Sequence, residues 1–193
     1  MGTPSQGMAD FAFLQHILKS MDPVNGRCAV LLPRGILSRY SEIEMRKKLV
    51  ELDLVDCIIG VGKGLFYNPP MEACVLIGRC VKPPERRGKI QIINAGEMIY
   101  RQGTQSYIAE DDIEKIAQTY REYRDVEGFC KIIDKETILK QEGSLSVSLY
   151  VKNSLSEVLI ESFNSSTEEC VKRWKAYSDA FHEKYEELKG LMK

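Results

Sequence analysis

The stretch RCAVLLPRGILSRYSEIEMRKKLVELDLVDCIIG, residues 27–60, decides the fold class of this chain. Residues 27–32 form a short continuous apolar run, which predicts a strand buried on both faces. Residues 41–52 carry apolar side chains at helical spacing, and residues 54–59 form a second apolar run. A strand–helix–strand unit with short connections is typical of α/β layered folds, so we predict that class.

The same signals extend the prediction to both sides of this unit. Residues 10–21 precede it as a helix, with Phe11, Leu14 and Leu18 on one side. The later segments are predicted as strands at 73–78 and 90–94, a helix at 111–124, extended segments at 129–133 and 145–151, and amphipathic helix from residue 156.

The amino-acid composition limits the functions that this chain can have. The chain has 193 residues, of which 44% are hydrophobic and 28% charged, and its net charge is −1. We expect a packed core, and any DNA-binding surface must be local because no global basic field attracts phosphates. The N-terminus has no signal sequence, and no apolar run approaches the roughly 20 residues of a membrane span. We therefore expect a cytoplasmic protein without membrane contact.

Six cysteines lie mostly inside apolar runs, and none forms a CxxC pair. We interpret them as buried, reduced thiols. Only His16 and His182 could complete a zinc site, and neither stands at ligand spacing from a cysteine, so no metal site is expected.

The loop GVGKGLFYNPP, residues 60–70, imitates two functional motifs. Its alternate glycines resemble a nucleotide-binding turn, but such a turn opens a helix, and two prolines before the next strand leave no room for one. Asn68-Pro69-Pro70 imitates the Asn-Pro-Pro-aromatic motif of enzymes that methylate an exocyclic amine on DNA, but Met71 replaces the aromatic residue. We predict a strand-exit loop without a catalytic residue.

A series of short segments carries a family resemblance. They read GTP at 2–4, ADFAFLQHIL at 9–18, LPRG at 32–35, MRKKL at 45–49, LFY at 65–67, PPERRGK at 83–89, DVEGF at 125–129 and SLSVSLYV at 144–151. In this order they resemble the methylation (modification) subunit of type I restriction–modification systems. The resemblance spans nearly the whole chain, and it is the order of the segments that makes it specific.

The resemblance implies an S-adenosylmethionine-dependent enzyme that methylates adenine N6 in DNA. It implies two partner proteins, a specificity subunit that reads the target sequence and a restriction subunit. The family's cofactor loop and its Asn-Pro-Pro-aromatic motif lie upstream of the point where this chain begins. We therefore expect the C-terminal part of such a subunit, inactive by itself and binding no S-adenosylmethionine alone.

The resemblance also implies a domain organisation. Residues 1–100 correspond to the C-terminal portion of a Rossmann-like methyltransferase sheet, residues 101–155 to a mixed helical and extended segment that completes the domain, and residues 156–193 to an amphipathic helical tail.

Within that sheet, the resemblance places strand 73–78 antiparallel between strands 27–32 and 54–59. The outer edge of strand 27–32 is then unpaired, which is a hazard for association. We expect self-association through this edge, or its cover by another segment.

Phe13 is the candidate for a cofactor contact. In related amino-methyltransferases, an aromatic residue on the helix after the catalytic strand contacts the adenine of the cofactor. By resemblance, Phe13 matches that position. The alternative is ordinary core packing against Ile17, four residues further along the helix.

A proline-containing loop concentrates basic residues, with Glu85 as its only acid. The basic residues are Arg79, Lys82, Arg86, Arg87 and Lys89. This local patch predicts contact with DNA phosphates. The alternative is a solvated turn.

The tail carries an apolar stripe that recurs every three or four residues, formed by Trp174, Tyr177, Phe181, Tyr185 and Leu188. Ser166 and Glu169 have capping-box spacing, so the helix should start near Thr167. The resemblance implies that this stripe docks on the specificity subunit. The alternative is that it folds back on its own domain.

Three functions therefore compete. The first is part of an adenine-N6 DNA methyltransferase subunit. The second is a non-catalytic assembly module that binds the specificity subunit through the tail. The third is a complete small enzyme that uses the loop at residues 60–70, and binding of the methyl donor separates it from the others.

Overall fold

The computed structural model describes residues 2, 8–65, 71–103, 105–152 and 174–175. The chain divides into two compact units, residues 1–152 and residues 153–193. The second unit is described only at Trp174 and Lys175, which are helical. Within these described ranges, no helix is long and apolar enough to cross a membrane.

From α1 to β4, the first unit has helices and strands in the order that the sequence predicts. In chain order its elements are α1 (Asp10–Ser20), β1 (Arg27–Pro33), α2 (Ile43–Glu51), β2 (Val55–Val61), β3 (Ala73–Arg79), β4 (Lys89–Ala95), β5 (Tyr100–Gln102), β6 (Gln105–Tyr107), α3 (Glu110–Glu122), β7 (Cys130–Asp134), α4 (Lys135–Lys140) and α5 (Val147–Tyr150). The predicted α/β class is confirmed, and the bounds of α1 to α3 and of β1 to β4 differ from the prediction by at most two residues.

The main sheet has the strand order β1-β3-β2-β4-β7, and β5 pairs with β6 in a separate hairpin. β3 runs antiparallel between β1 and β2, which confirms the arrangement that the resemblance implied. β2 and β4 are parallel, and β7 is antiparallel to β4. The carboxyl ends of β1, β2 and β4 therefore lie along one edge of the sheet, here called the carboxyl edge. Their amino ends lie along the opposite amino edge.

Two apolar clusters cover the two faces of this sheet. The larger cluster joins α1, α2, α4 and α5 to one face and includes Leu14, Leu49 and Ile58. The smaller cluster joins α3 to the other face around Cys57 and Ile93. Neighbouring residues of β2 enter different clusters because strand side chains alternate between faces. Each fully buried side chain of this kind stabilises the fold by roughly 1.5–3 kcal/mol, so these clusters hold the layers together.

The prediction that β1 is buried on both faces is wrong. Arg27, Ala29 and Leu31 alternate as exposed residues, and Leu31 is 51% exposed. The larger cluster covers only the face of β1 that carries Leu32, and the described residues place no helix over the other face. β1 also ends the sheet, because β3 is its only strand partner within the described part of the chain.

The prediction of an extended segment at 145–151 is also wrong. Residues 147–150 form α5, and the backbone N–H of Val151 donates to the carbonyl of Val147 at 2.9 Å. Val147 and Val151 are both buried, which is the spacing of one helical turn. Alternating serines and apolar residues imitate a strand here, but packing against the sheet selects the helical turn.

Candidate functional site

Open α/β sheets bind ligands outside the carboxyl ends of their parallel strands. The carboxyl edge of this sheet holds a cavity of about 560 Å³, here called the edge pocket. Its polar lining consists of Arg34, Ser38, Arg39, Lys63, Glu72, Ser146 and Ser148. These residues follow β1, follow β2, precede β3 and flank or begin α5, so the tertiary fold alone brings them together.

Glu72 holds two cations at the wall of the edge pocket. Arg34 Nη1 donates to Glu72 Oε2 at 2.5 Å, and Lys63 Nζ lies 3.8 Å from Glu72 Oε1. The backbone N–H of Arg34 also donates to the carbonyl of Glu72 at 3.0 Å, which ties the exit of β1 to the entry of β3. One carboxylate therefore orients cations from two different strands.

Arg39 connects the edge pocket to the first turn of α1. Its Nη1 donates to Asp10 Oδ2 at 2.6 Å and lies 3.7 Å from Glu42 Oε2. Glu42 is fully buried, and its carboxylate oxygens have no hydrogen-bond partner among the described residues. Burial raises the pKa of Glu42 above its ordinary value, while the positive charge of Arg39 opposes that rise.

The start of α5 adds two hydroxyl groups to the edge pocket. Ser146 Oγ and Ser148 Oγ are 3.2 Å apart. Ser146 stands at the N-cap position of α5, but its side chain makes no capping hydrogen bond. Hydroxyls donate and accept hydrogen bonds, so this pair can serve an anionic or a neutral polar ligand.

Phe13 lies on α1, close to the same edge of the sheet. It is 67% exposed, so the alternative of core packing against Ile17 is wrong. Phe11 and Leu14 occupy the buried face of the helix instead. The ion pair between Asp10 and Arg39 brings the beginning of α1 to the edge pocket, and Phe13 follows Asp10 by about one helical turn.

The glycines that imitate a cofactor loop have a packing explanation. Gly60 lies within β2. A Cβ at Gly62 would come within 2.2 Å of the carbonyl oxygen of Gly96, so the exit of β2 and the exit of β4 touch there. β3 begins at Ala73, as expected for a strand-exit loop. Asn68, Pro69 and Pro70 lie outside the described residues.

The predicted DNA-contacting loop lies at the opposite, amino edge and is largely occupied by internal contacts. Asp56 Oδ2 accepts hydrogen bonds from Arg79 Nε at 3.1 Å, from Arg86 Nη1 at 3.2 Å and from the hydroxyl of Tyr120 at 2.6 Å. The guanidinium carbon of Arg86 stacks 4.6 Å from the ring centre of Tyr120 and 4.1 Å from that of Tyr123. Asp56 and Arg86 are buried, so this network fixes α3 to the sheet.

Lys82 is buried in a second internal contact of the same loop. Its Nζ donates to Asp53 Oδ1 and to the carbonyl of Lys89, both at 2.7 Å. Burial lowers the pKa of Lys82, and the carboxylate of Asp53 opposes that shift. The alternative of a solvated turn therefore does not describe this loop. Of the five predicted DNA contacts, Arg87 and Lys89 are the exposed ones.

The tail stripe is described at a single position. Trp174 is helical and 68% exposed. The predicted helix start, with Ser166, Thr167 and Glu169, lies outside the described residues. The other four stripe residues also lie outside them: Tyr177, Phe181, Tyr185 and Leu188.

The described cysteines are free thiols. Burial raises the pKa of the Cys74 thiol to about 12, and it also raises the pKa of Cys57. These groups are therefore protonated and unreactive at neutral pH. Across the described ranges, no group of three or more histidine, cysteine, aspartate or glutamate residues could hold a metal ion.

Sequence reasoning missed the cations of the edge pocket. Arg34 belongs to the LPRG segment that carried the family resemblance, but nothing local marks it as a pocket residue. Its carboxylate partner lies 38 positions away, and the partner of Arg39 lies 29 positions away. The sequence shows a group of basic residues that are close along the chain, but it does not show a group that the fold assembles from two distant connections.

The sequence matches the N-6 DNA Methylase family over residues 1–157. It is similar to the type I restriction enzyme MjaVIII methylase subunit of Methanocaldococcus jannaschii, with 38% identity over 154 residues that cover 78% of this chain and 26% of that protein. It is also similar to the type I restriction enzyme HindI methylase subunit of Haemophilus influenzae, with 34% identity over 166 residues that cover 81% of this chain and 37% of that protein.

A solved structure shares the fold. The methyltransferase subunit of the type I restriction–modification system from Streptococcus thermophilus superimposes with a TM-score of 0.71 and 28% identity, covering 76% of this chain and 31% of that chain. The predicted resemblance to type I methylation subunits is thus confirmed. The match covers 26% to 37% of the length of these three proteins. Because those relatives are named methylase subunits, the comparisons do not favour the assembly-module alternative.

Proposed function

The chain belongs to the N-6 DNA methylase family, and from this membership we propose that it serves in the methylation subunit of a type I restriction–modification system. The subunit transfers a methyl group from S-adenosylmethionine to adenine N6 in DNA. The observation that carries this proposal is the family match over residues 1–157, supported by 38% identity to a type I methylase subunit. The specificity and restriction subunits of the same system are its partners.

This chain contributes the carboxyl edge of a methyltransferase sheet to that subunit. The exposed ring of Phe13 presents an apolar face that suits the adenine of S-adenosylmethionine, which supplies the methyl group when bound. In this proposal the 193-residue chain alone is inactive and does not hold the cofactor, because the glycines at residues 60–64 open no helix and Met71 replaces the aromatic residue of the catalytic motif.

Methyl transfer tests this proposal directly. Radiolabelled S-adenosylmethionine and adenine-containing DNA are incubated with the 193-residue chain or with the complete methylation subunit together with its specificity subunit. We expect label in adenine only with the complete proteins. Transfer by the chain alone would support the third function, a complete small enzyme, and the absence of transfer in both samples would contradict the proposal.

Phe13→Ala tests the cofactor contact in the complete subunit. Loss of an aromatic contact should raise the Kd for S-adenosylmethionine roughly threefold to tenfold. Ile113→Ala is the matched control, because Ile113 is another exposed apolar helix residue, on α3 at the other face of the sheet. An unchanged Kd in Phe13→Ala would remove Phe13 from the cofactor site.

The exposed members of the basic loop, Arg87 and Lys89, are retained as candidate contacts to DNA phosphates. Arg79, Lys82 and Arg86 have another role, since their charges are neutralised inside the protein. Replacing Arg87 and Lys89 with glutamine should weaken DNA binding similarly across sequences, because phosphate contacts carry no base information. Unaltered DNA affinity of this double variant would exclude the contact.

The apolar stripe of the tail docks on the specificity subunit in this proposal. The exposure of Trp174 supports it, because a large aromatic surface left in water favours association. Trp174→Ala combined with Phe181→Ala should leave the chain folded and abolish co-purification with the specificity subunit. A collapse of thermal stability would instead show that the tail packs on its own domain.

The free edge of β1 is a second association surface. Its seven residues pair with β3 on one side. Among the described residues no strand pairs with their other side, so its backbone groups are offered to a strand of a second protein segment. Sedimentation of the isolated chain should show dimers or larger species unless another segment covers the edge. A monomer whose β1 amides exchange hydrogen rapidly would contradict this expectation.

A further inference from the structure

We propose that the edge pocket binds a backbone phosphate of the DNA together with its flanking sugars. This inference rests on the proposed function, because it assigns a binding site to the DNA substrate. It concerns Arg34, Arg39, Lys63, Ser146 and Ser148, which the sequence did not single out.

The chemistry of the lining matches a phosphodiester. The pocket presents two guanidinium groups and one ammonium group. Glu72 belongs to the lining, and Arg39 is also paired with Asp10 and Glu42, which are not among the lining residues. Guanidinium groups donate in a planar fork that fits phosphate oxygens, and an ammonium group adds a mobile point charge. The hydroxyls of Ser146 and Ser148 supply further donors of the kind that commonly contact DNA phosphates.

The two arginines are oriented before any ligand arrives. Among the described residues, the side chain of Arg34 bonds only through Nη1, to Glu72, and that of Arg39 only through Nη1, to Asp10. Glu72 therefore fixes Arg34, and Asp10 together with the nearby Glu42 fixes Arg39. In the described part of the chain, neither side chain makes a hydrogen bond through Nε or Nη2. A donor that is already oriented loses less side-chain entropy on binding.

Gly35 shapes the position of Arg39. A Cβ at Gly35 would lie 2.9 Å from Arg39 Nε and 3.3 Å from Arg39 Nη2, so the guanidinium rests on the bare backbone of Gly35. A side chain at position 35 would require the Arg39 guanidinium to shift.

Size and position favour a phosphate within a strand over a free phosphate ion. A cavity of about 560 Å³ falls within the roughly 300–1,000 Å³ of sites for drug-sized ligands, well beyond the size of an isolated phosphate. It lies at the carboxyl edge, where α/β sheets bind their ligands, and Arg39 ties it to Asp10, about one helical turn before Phe13. A DNA strand held there would run beside the proposed contact to the methyl donor.

The salt dependence of DNA binding tests this site in the complete subunit with its specificity subunit. The affinity for a target duplex is measured at several salt concentrations for the unaltered protein and for Arg39→Gln combined with Lys63→Gln. Removing one phosphate contact should lower the slope of log affinity against log salt by about 1, while the Kd for S-adenosylmethionine stays unchanged. A slope and affinity equal to those of the unaltered protein would overturn the inference.

Two further variants keep the test decisive. Lys48→Gln combined with Arg121→Gln removes two exposed cations from α2 and α3, far from the pocket lining, and should leave the slope unchanged. If the pocket double variant unfolds, Lys63→Gln alone replaces it, because Lys63 is largely exposed and its ion pair is worth little to stability. An equal drop in the control would show a general charge effect and contradict the site.

Titration with inorganic phosphate separates the two sources of the ligand. DNA binding that depends on the pocket, without measurable binding of inorganic phosphate, supports a strand phosphate. Pocket-dependent binding of inorganic phosphate with unchanged DNA binding overturns the proposal. The two proposals also fail separately: DNA methylation with an unchanged salt slope in the variant removes only the pocket, whereas a pocket-dependent slope without methylation removes only the methyltransferase function.

Discussion

The basic loop at the amino edge and the edge pocket at the carboxyl edge both contain arginine and lysine side chains, but the surroundings of these side chains differ. The loop concentrates five cations in eleven positions, 79–89, but three of them are tied to Asp53 and Asp56 inside the fold. The pocket gathers three cations from two connections, the one after β1 and the one after β2, and these cations line a cavity. The two regions lie about 20 Å apart along the strands. A count of cations in sequence therefore does not locate the surface that meets an anion.

Burial explains why the loop cations are structural. A buried charge without a partner costs several kcal/mol, so Arg86 and Lys82 persist inside the protein only because carboxylates and carbonyls surround them. Tyr120 takes part in the same network, and burial together with the hydrogen bond to Asp56 raises its pKa. Glu72 and Asp10, which pair with pocket cations, are 34% and 30% exposed, so water and ligands reach these pairs.

The largest effect is expected from Asp56→Ala. This change leaves Arg86 buried without its carboxylate and should reduce the free energy of unfolding by about 3–5 kcal/mol. Urea denaturation measures it. The control is Glu114→Ala, which breaks the exposed pair with Arg121 and should cost less than about 0.5 kcal/mol. A loss below about 1 kcal/mol in Asp56→Ala would mean that the loop cations are free, and the contrast with the edge pocket would disappear.

Gly62→Ala should have an intermediate effect at the carboxyl edge. The added Cβ would meet the carbonyl oxygen of Gly96 at 2.2 Å, so the exits of β2 and β4 must separate. Overpacking of this kind costs roughly 1–3 kcal/mol, measured by thermal or urea unfolding. Gly103→Ala offers a comparison, because nothing lies within 4 Å of its Cβ position and only the strain of its positive φ remains. Equal costs for the two variants would argue against the close contact at Gly62.

Glu42→Gln should change how stability depends on pH. Burial raises the folded pKa of Glu42 above its unfolded value, so the folded state binds the proton more tightly. The stability linked to neutral Glu42 is full below the unfolded pKa and is lost as pH rises through the folded pKa. The glutamine variant escapes that loss and should be more stable than the unaltered protein at pH 7 by about 1 kcal/mol, with little difference at pH 4.

The control for this pH effect is Glu44→Gln on the same helix. Glu44 is exposed and should show the same small difference at both pH values. A stability of Glu42→Gln that falls at pH 7 would indicate that the charged carboxylate is needed to hold Arg39 in the edge pocket.

The smallest effect is expected from Lys89→Gln. Its side chain is exposed, so the free energy of unfolding should change by less than about 0.5 kcal/mol. Lys82→Gln, seven positions earlier, loses a buried ion pair and should destabilise the fold by several times more. Equal effects at the two positions would show that exposure does not separate the members of the basic loop.

The sequence by itself determined the order and type of most elements. Apolar runs such as residues 54–59 predict strands because burial on both faces leaves a local signal, and α1 is visible from the spacing of Phe11, Leu14 and Leu18. The family and the place of β3 between β1 and β2 followed from a resemblance carried by short segments in order. These features are readable because they depend on neighbours in the chain.

Only the tertiary structure decided which residues are free to act. Phe13 and Leu14 are adjacent and both apolar, but the packing of α1 buries Leu14 and exposes Phe13. Residues 145–151 alternate like a strand, but contacts with the sheet make Val147 and Val151 one helical turn. Arg34 and Arg86 carry the same charge, but they differ in burial because each is surrounded by different residues that are distant along the chain. Burial and pairing depend on residues 20 to 60 positions away, and no local pattern encodes them.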